Sequence, residues 1–144
     1  MNITATEVRT SPVTFWGRAG ALWDLVITAP FATPWTAGLV FDALRAVHRG
    51  LGLPGAEPPV FEPMMLMMVS LFGTAVLMWS LGRLWYPLPR LILTDTVGRL
   101  LFITWFAWSW ASGGSAVSGF FLLLELIWAV AQAQSLYRHR RADR

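Results

Sequence analysis

Four long apolar runs, separated by breaks rich in proline and glycine, organise this chain. The first, FWGRAGALWDLVITAPF from Phe15 to Phe31, opens with Trp16 and Arg18, residues suited to an interfacial anchor, and carries Asp24 inside it. Pro30 and Pro34 interrupt the run, and Thr33 before Pro34 has the form of an N-cap followed by a first-turn proline. Beyond it Val40, Leu44, Val47 and Leu51 recur at helical spacing, with Asp42, Arg45 and Arg49 on the other side. That pattern predicts an amphipathic helix that lies on a membrane rather than crossing it. GLGLPGAEPP ends the helix. The second run, from about Pro63 to Leu81, has no charge between Glu62 and Arg83. WYPLPR predicts a tight turn. The third run is LILTDTVGRLLFITWFAWSW, from Leu91 to Trp110, and SGGS at Ser112 to Ser115 is an uncharged turn into the fourth, Val117 to Leu136, with Glu125 near its middle.

About 20 apolar residues suffice to cross a bilayer as a helix. The expected fold is therefore all-α: an integral membrane four-helix bundle forming a single domain over 1–144, with one extra amphipathic interfacial helix. Crossings are expected at about 15–33, 63–83, 91–111 and 116–137, and the interfacial helix at about 34–50.

Composition agrees, with 56% hydrophobic and only 13% charged residues. Every basic residue is arginine, a usage expected of a GC-rich bacterial genome. Arg9, Arg18, Arg83, Arg90, Arg138, Arg140, Arg141 and Arg144 fall on one side of the expected topology, and Arg45 and Arg49 on the other. This bias predicts a multi-pass protein of the bacterial cytoplasmic (inner) membrane with both termini cytoplasmic. The crowded arginines at the C-terminus then read as a cytoplasmic tail, and no nucleic-acid partner is expected. The absence of cysteine excludes disulfides, zinc thiolates, iron–sulfur clusters and cysteine-linked haem. No removable signal peptide is expected, because the first fourteen residues are polar, with Glu7 and Arg9 among them.

The chemistry concentrates in the third run. Asp95 and Arg99 are four apart, so they share one helix face and can pair. A charge near the bilayer centre costs roughly 3 kcal/mol or more, so that face should point into the bundle. Counting about 1.5 Å per residue, Asp24, Arg99 and Glu125 all fall roughly 12 to 17 Å from the cytoplasmic ends of their helices. Three carboxyls then surround one guanidinium, and at least one of them should be protonated. Asp95 is the expected partner of Arg99, and Glu125 the expected neutral member. The group serves either as a polar clasp between helices or as a site that handles protons or polarises a ligand.

Trp23 and Trp128 sit beside Asp24 and near Glu125, where an indole N–H can donate to a carboxylate or simply fill core space. Phe102, Trp105, Phe106, Trp108 and Trp110 form an aromatic belt at the outer end of the third run or hold a flat apolar ligand between rings. The methionines of MMLMM, Met64 to Met68, are expected to fill apolar space rather than to bind Cu(I). His48 and His139 have no ligand partner at helical spacing, so no metal site is expected. No phosphate-binding loop, nucleophile elbow or HExxH motif occurs, and no cofactor is expected.

The order of parts resembles small bacterial four-helix membrane proteins of the DoxX-like and BphX-like kind. An acid in the first crossing, an amphipathic outer segment, FEP before the second crossing, TDTVGR in the third and an acid in the fourth carry the likeness across most of the chain. The resemblance implies a small membrane protein, some relatives of which look like accessory subunits of membrane redox complexes. The chain also resembles, more weakly, the EXPERA family of four-helix sterol-amine binders and sterol isomerases. That likeness implies acidic roles open by position to Asp24 and Glu125. The expected function is thus that of a non-enzymatic membrane protein, either an accessory subunit of a larger membrane complex or a binder of an apolar ligand, with Asp95, Arg99, Trp23, Trp128 and Trp105 as binding residues. Membrane lipid and a homo-oligomer complete the expected partners. The alternative is an intramembrane isomerase or cyclase, in which protonated Glu125 or Asp24 acts as general acid on an apolar substrate while Arg99 keeps a neighbouring carboxylate ionised. A transporter subunit is the third reading.

Overall fold

Three consecutive helices start at a proline, and the residue before each, Thr33, Glu62 or Leu88, is extended. The proline ring forces that residue out of the helical region and fixes the first helical φ. In the computed structural model, which describes residues 12–142, the elements are α1 (Pro12–Thr28), a 3-10 turn (Ala29–Ala32), α2 (Pro34–Gly50), α3 (Pro63–Trp85), α4 (Pro89–Ala111) and α5 (Val117–Ala142). An isolated bridge between Ala56 and Gly114 is the only β pairing among the described residues. Arg9, Ser11 and Arg144 lie outside them.

Three helices, α3, α4 and α5, are long and apolar enough to cross a membrane. The first is shorter than the sequence pattern implies. α1 runs for 17 residues, about 25 Å, because Pro30 has no N–H to continue the ladder and the chain tightens into the 3-10 turn.

α5 lies along α4, and α1 packs against both α3 and α5. α3 and α4, although joined by a tight turn, meet through long side chains, such as Phe72 and Phe102 with ring centroids 6.1 Å apart. Gly73 lets the 3-10 turn onto the middle of α3. A Cβ there would stand 2.6 Å from the Phe31 carbonyl, and Thr74 next to it donates from Oγ1 to the Ala32 carbonyl at 3.3 Å.

That docking sets the course of α2, which begins level with the middle of α3 and ends at the α4–α5 turn. There the His48 imidazole Nδ1 meets Ser115 Oγ at 2.8 Å. His48, on the helix that the sequence pattern predicts to lie on the membrane, is buried. The buried positions of α2 are Ala37 and His48, while Trp35, Leu39, Val47 and Leu51 face outward. The loop 51–62 completes a cap over the turn, with Ala56 N–H donating to Gly113 at 2.7 Å and Ala116 N–H to Pro54 at 2.9 Å.

The distribution of polarity is the reverse of that in a water-soluble domain. The buried apolar cluster holds Val13, Ile92 and Leu136. Ser70, Ser80, Arg83, Asp95, Thr96, Arg99, Gln132 and Ser135 are buried as well, whereas Met64, Leu71, Met78, Val97, Leu101, Trp105, Leu123 and Ile127 are exposed. Several of the buried hydroxyls fold back on their own helix: Ser70, Ser80 and Thr96 each donate to the carbonyl four residues before, at 2.8 Å.

Candidate functional site

The buried polar residues converge on a closed ring of two arginines and two aspartates supplied by α1, α3 and α4. Asp24 Oδ2 accepts from Arg83 Nη2 at 2.5 Å and from Arg99 Nη2 at 2.6 Å. Asp95 Oδ2 pairs with Arg83 Nη1 and accepts from Arg99 Nε at 3.2 Å, the contact between neighbours one helical turn apart. Each guanidinium thus touches both aspartates. Both arginines are almost wholly buried, at 1% and 2% exposed. The carboxylates stand in for the water that burial takes from these guanidiniums.

Other side chains hold the ring in register. Trp79 Nε1 donates to Asp95 Oδ1 at 3.2 Å, and Gln132 Nε2 donates to Asp95 Oδ2 at 2.9 Å. Gln132 is fixed in turn by Thr96, whose hydroxyl shares its one proton between the Ile92 carbonyl at 2.8 Å and Gln132 Oε1 at 3.1 Å. Gly20 permits this closeness of α1 and α5, since a Cβ there would come 2.6 Å from Gln132 Nε2 and 3.3 Å from Arg99 Nη2. Arg99 also lies over the Trp128 ring at 5.8 Å, and Arg83 over Trp79 at the same distance.

Glu125 stands outside the ring. Its Oε2 accepts from Arg99 Nη1 at 2.8 Å, the sole hydrogen bond to its carboxylate among the described residues. Two guanidiniums against three carboxylates leave one negative charge unmatched if all ionise, and Glu125 is the acid with the fewest donors.

Asp24, Asp95, Arg99 and Glu125, read from the sequence as one group, therefore do meet. Arg83 was expected in the cytoplasmic flank, and its place in the ring corrects both the topology count and the count of one guanidinium for three carboxyls. The signal for it was that imbalance, which called for a second cation. Gln132 was missed although it lies seven residues after Glu125, two turns along the same face. The indole donor is Trp79 rather than Trp23, whose ring packs against Trp128 with centroids 6.0 Å apart. Trp105 is 60% exposed and takes no part in the site. The methionines Met64, Met65, Met67 and Met68 face outward too. Among the described residues no cluster of histidine and carboxylate ligands is arranged to hold a metal.

A groove of about 340 Å³ opens between α3 and α4 against this ring. Ala75, Val76 and Trp79 form one wall, Thr94, Gly98 and Phe102 the other, and Asp24, Asp95 and Arg99 its polar end. Its walls are nearly all carbon. A Cβ on Gly98 would meet nothing within 4 Å, so that glycine leaves space in the groove rather than a close helix contact. Glu125 does not line the groove. The arrangement can accept an apolar body and offer its head the outer edges of a fixed ion-pair ring. Compared with protein-family models, curated proteins and solved structures, the chain matches none.

Proposed function

We propose that this chain is a four-crossing protein of the bacterial cytoplasmic membrane that binds an apolar small molecule in the groove between α3 and α4. Support for the membrane comes from three spanning-length helices and from an interior more polar than the surface. α1 completes the bundle as the fourth crossing, its helix and 3-10 turn together reaching about 33 Å if they continue in line. Both termini are cytoplasmic on the arginine bias, even with Arg83 withdrawn from the count. The DoxX-like resemblance stands as the proposed kinship.

One observation carries the binding reading: an open carbon-lined groove ends on charged groups that are already paired with one another. A site of this size suits a small molecule. Its ligand is an apolar body with a hydrogen-bonding head, taken laterally from the bilayer. The same observation favours binding over acid catalysis. Asp24 and Asp95, the carboxyls that border the groove, are each already engaged by two guanidiniums, while Glu125 lies away from it.

Gly98→Leu tests the proposal, because the added side chain enters the groove where nothing else stands. Native mass spectrometry and organic extraction of the purified parent should reveal a stoichiometric apolar molecule, absent from a Gly98→Leu variant of unchanged melting temperature. An equal load in both variants places the ligand elsewhere. A parent that carries only a stoichiometric protein partner points to the accessory subunit instead.

A further inference from the structure

A second groove, of about 580 Å³, runs along the outer face of α5 beside α1. Its floor is Leu126, Ile127, Val130 and Ala131, and its far end is Gln134, Ser135 and Arg138, with Trp16 of α1 as a wall. From Leu126 to Arg138 the helix rises about 18 Å, close to the roughly 15 Å of one leaflet's hydrocarbon. An apolar trough thus leads to an arginine at headgroup depth, beside a tryptophan of the kind that marks that depth. Arg138 is exposed and has no carboxylate partner among the described residues, and Arg140 and Arg141 next to it are exposed as well.

We infer that this groove is a binding site for one anionic phospholipid of the cytoplasmic leaflet, its acyl chain along Leu126 to Ala131 and its phosphate on Arg138. The occupant follows from charge and shape together. The trough is apolar where a chain would lie, and among the described residues the one cation lining it stands at its polar end with no carboxylate paired to it. Arginine matches a phosphate with a planar fork of donors, and Gln134 beside it adds further donors to the headgroup. The inference rests on the membrane orientation proposed above, but not on the ligand between α3 and α4, because the two grooves share no residue.

Native mass spectrometry of the full chain in detergent, with phosphatidylglycerol or phosphatidylcholine of the same acyl chains added, tests it. One phosphatidylglycerol per chain should be retained in preference to phosphatidylcholine. Arg138→Gln should lower that retention roughly fivefold, the contribution of one basic residue at a membrane surface. Arg138→Lys and Arg140→Gln should retain the lipid, and Ala131→Phe, which fills the trough, should release it. Gly98→Leu should leave it bound. Equal retention of the two lipids, or equal losses in Arg138→Gln and Arg140→Gln, would overturn the site in favour of a diffuse basic surface. A chain that stays monomeric and folded in buffer without detergent would defeat the membrane reading itself, whereas a detergent-requiring chain without lipid preference defeats only this inference.

Discussion

Arg83 in the last turn of α3 donates to Asp24 of α1 across 2.5 Å, although 59 residues separate them in the chain. Since Asp24 is bonded to Arg99 through the same oxygen, this one carboxylate ties α1 to both α3 and α4. Removing either arginine strands buried negative charge. Arg83→Ala and Arg99→Ala should each destabilise by roughly 3 to 5 kcal/mol, the cost of breaking a buried pair from one side. Arg49→Ala, which removes an exposed pair with Glu57, should cost under about 1 kcal/mol. Melting curves in one detergent compare the three, and equal midpoints for Arg83→Ala and Arg49→Ala would show that Arg83 faces water or headgroups.

The unmatched charge leads to the second prediction. Glu125 accepts one hydrogen bond, whereas Asp95 accepts from Trp79, Arg99 and Gln132 and pairs with Arg83, so a proton bound by the cluster belongs on Glu125. A protonated Glu resembles Gln. Glu125→Gln should therefore leave the melting temperature nearly unchanged, and Asp95→Asn should lower it markedly. The parent should show a carboxylic-acid C=O infrared band near neutral pH that Glu125→Gln lacks. Persistence of that band in the variant would move the proton to Asp24 or Asp95.

Two helical glycines should respond in opposite directions to the same substitution. Gly20→Ala pushes a methyl against Gln132 and Arg99 and should destabilise by about 1 to 3 kcal/mol. Gly98→Ala meets open space and gains helix propensity, up to about 1 kcal/mol. Thermal unfolding of the pair checks the closeness of α1 to α5 and the openness of the groove in one experiment.

The proposed orientation is tested with single cysteines, since the chain has none of its own. Ser115 is unsuitable because it is buried against His48. Val60, 80% exposed in the loop before α3, and Ala142 at the end of α5 are accessible. An impermeant thiol reagent should label Val60→Cys in intact cells and Ala142→Cys only after lysis. The reverse result would invert the topology.

The sequence by itself determined the helices and half of the site. Apolar runs set where α3, α4 and α5 form, and prolines at 34, 63 and 89 set three helix starts, because both effects act within a few residues of the chain. Asp95 and Arg99 were legible as a pair for the same reason, one helical turn being a local distance. Asp24 and Glu125 were legible as its neighbours because length along a helix converts directly into depth within a set of packed helices. Depth along a helix says nothing of rotation about it or of which helices touch. Only the tertiary structure decided that Arg83 turns inward to close the ring, that Trp79 and not Trp23 donates to the site, and that Gln132 braces Asp95. It decided equally the course of α2, which is set by the 3-10 turn docked on Gly73 of α3 at one end and by His48 against Ser115 at the other. Each of these depends on the angle at which one helix presents its face to another, and that angle is set by packing between segments tens of residues apart.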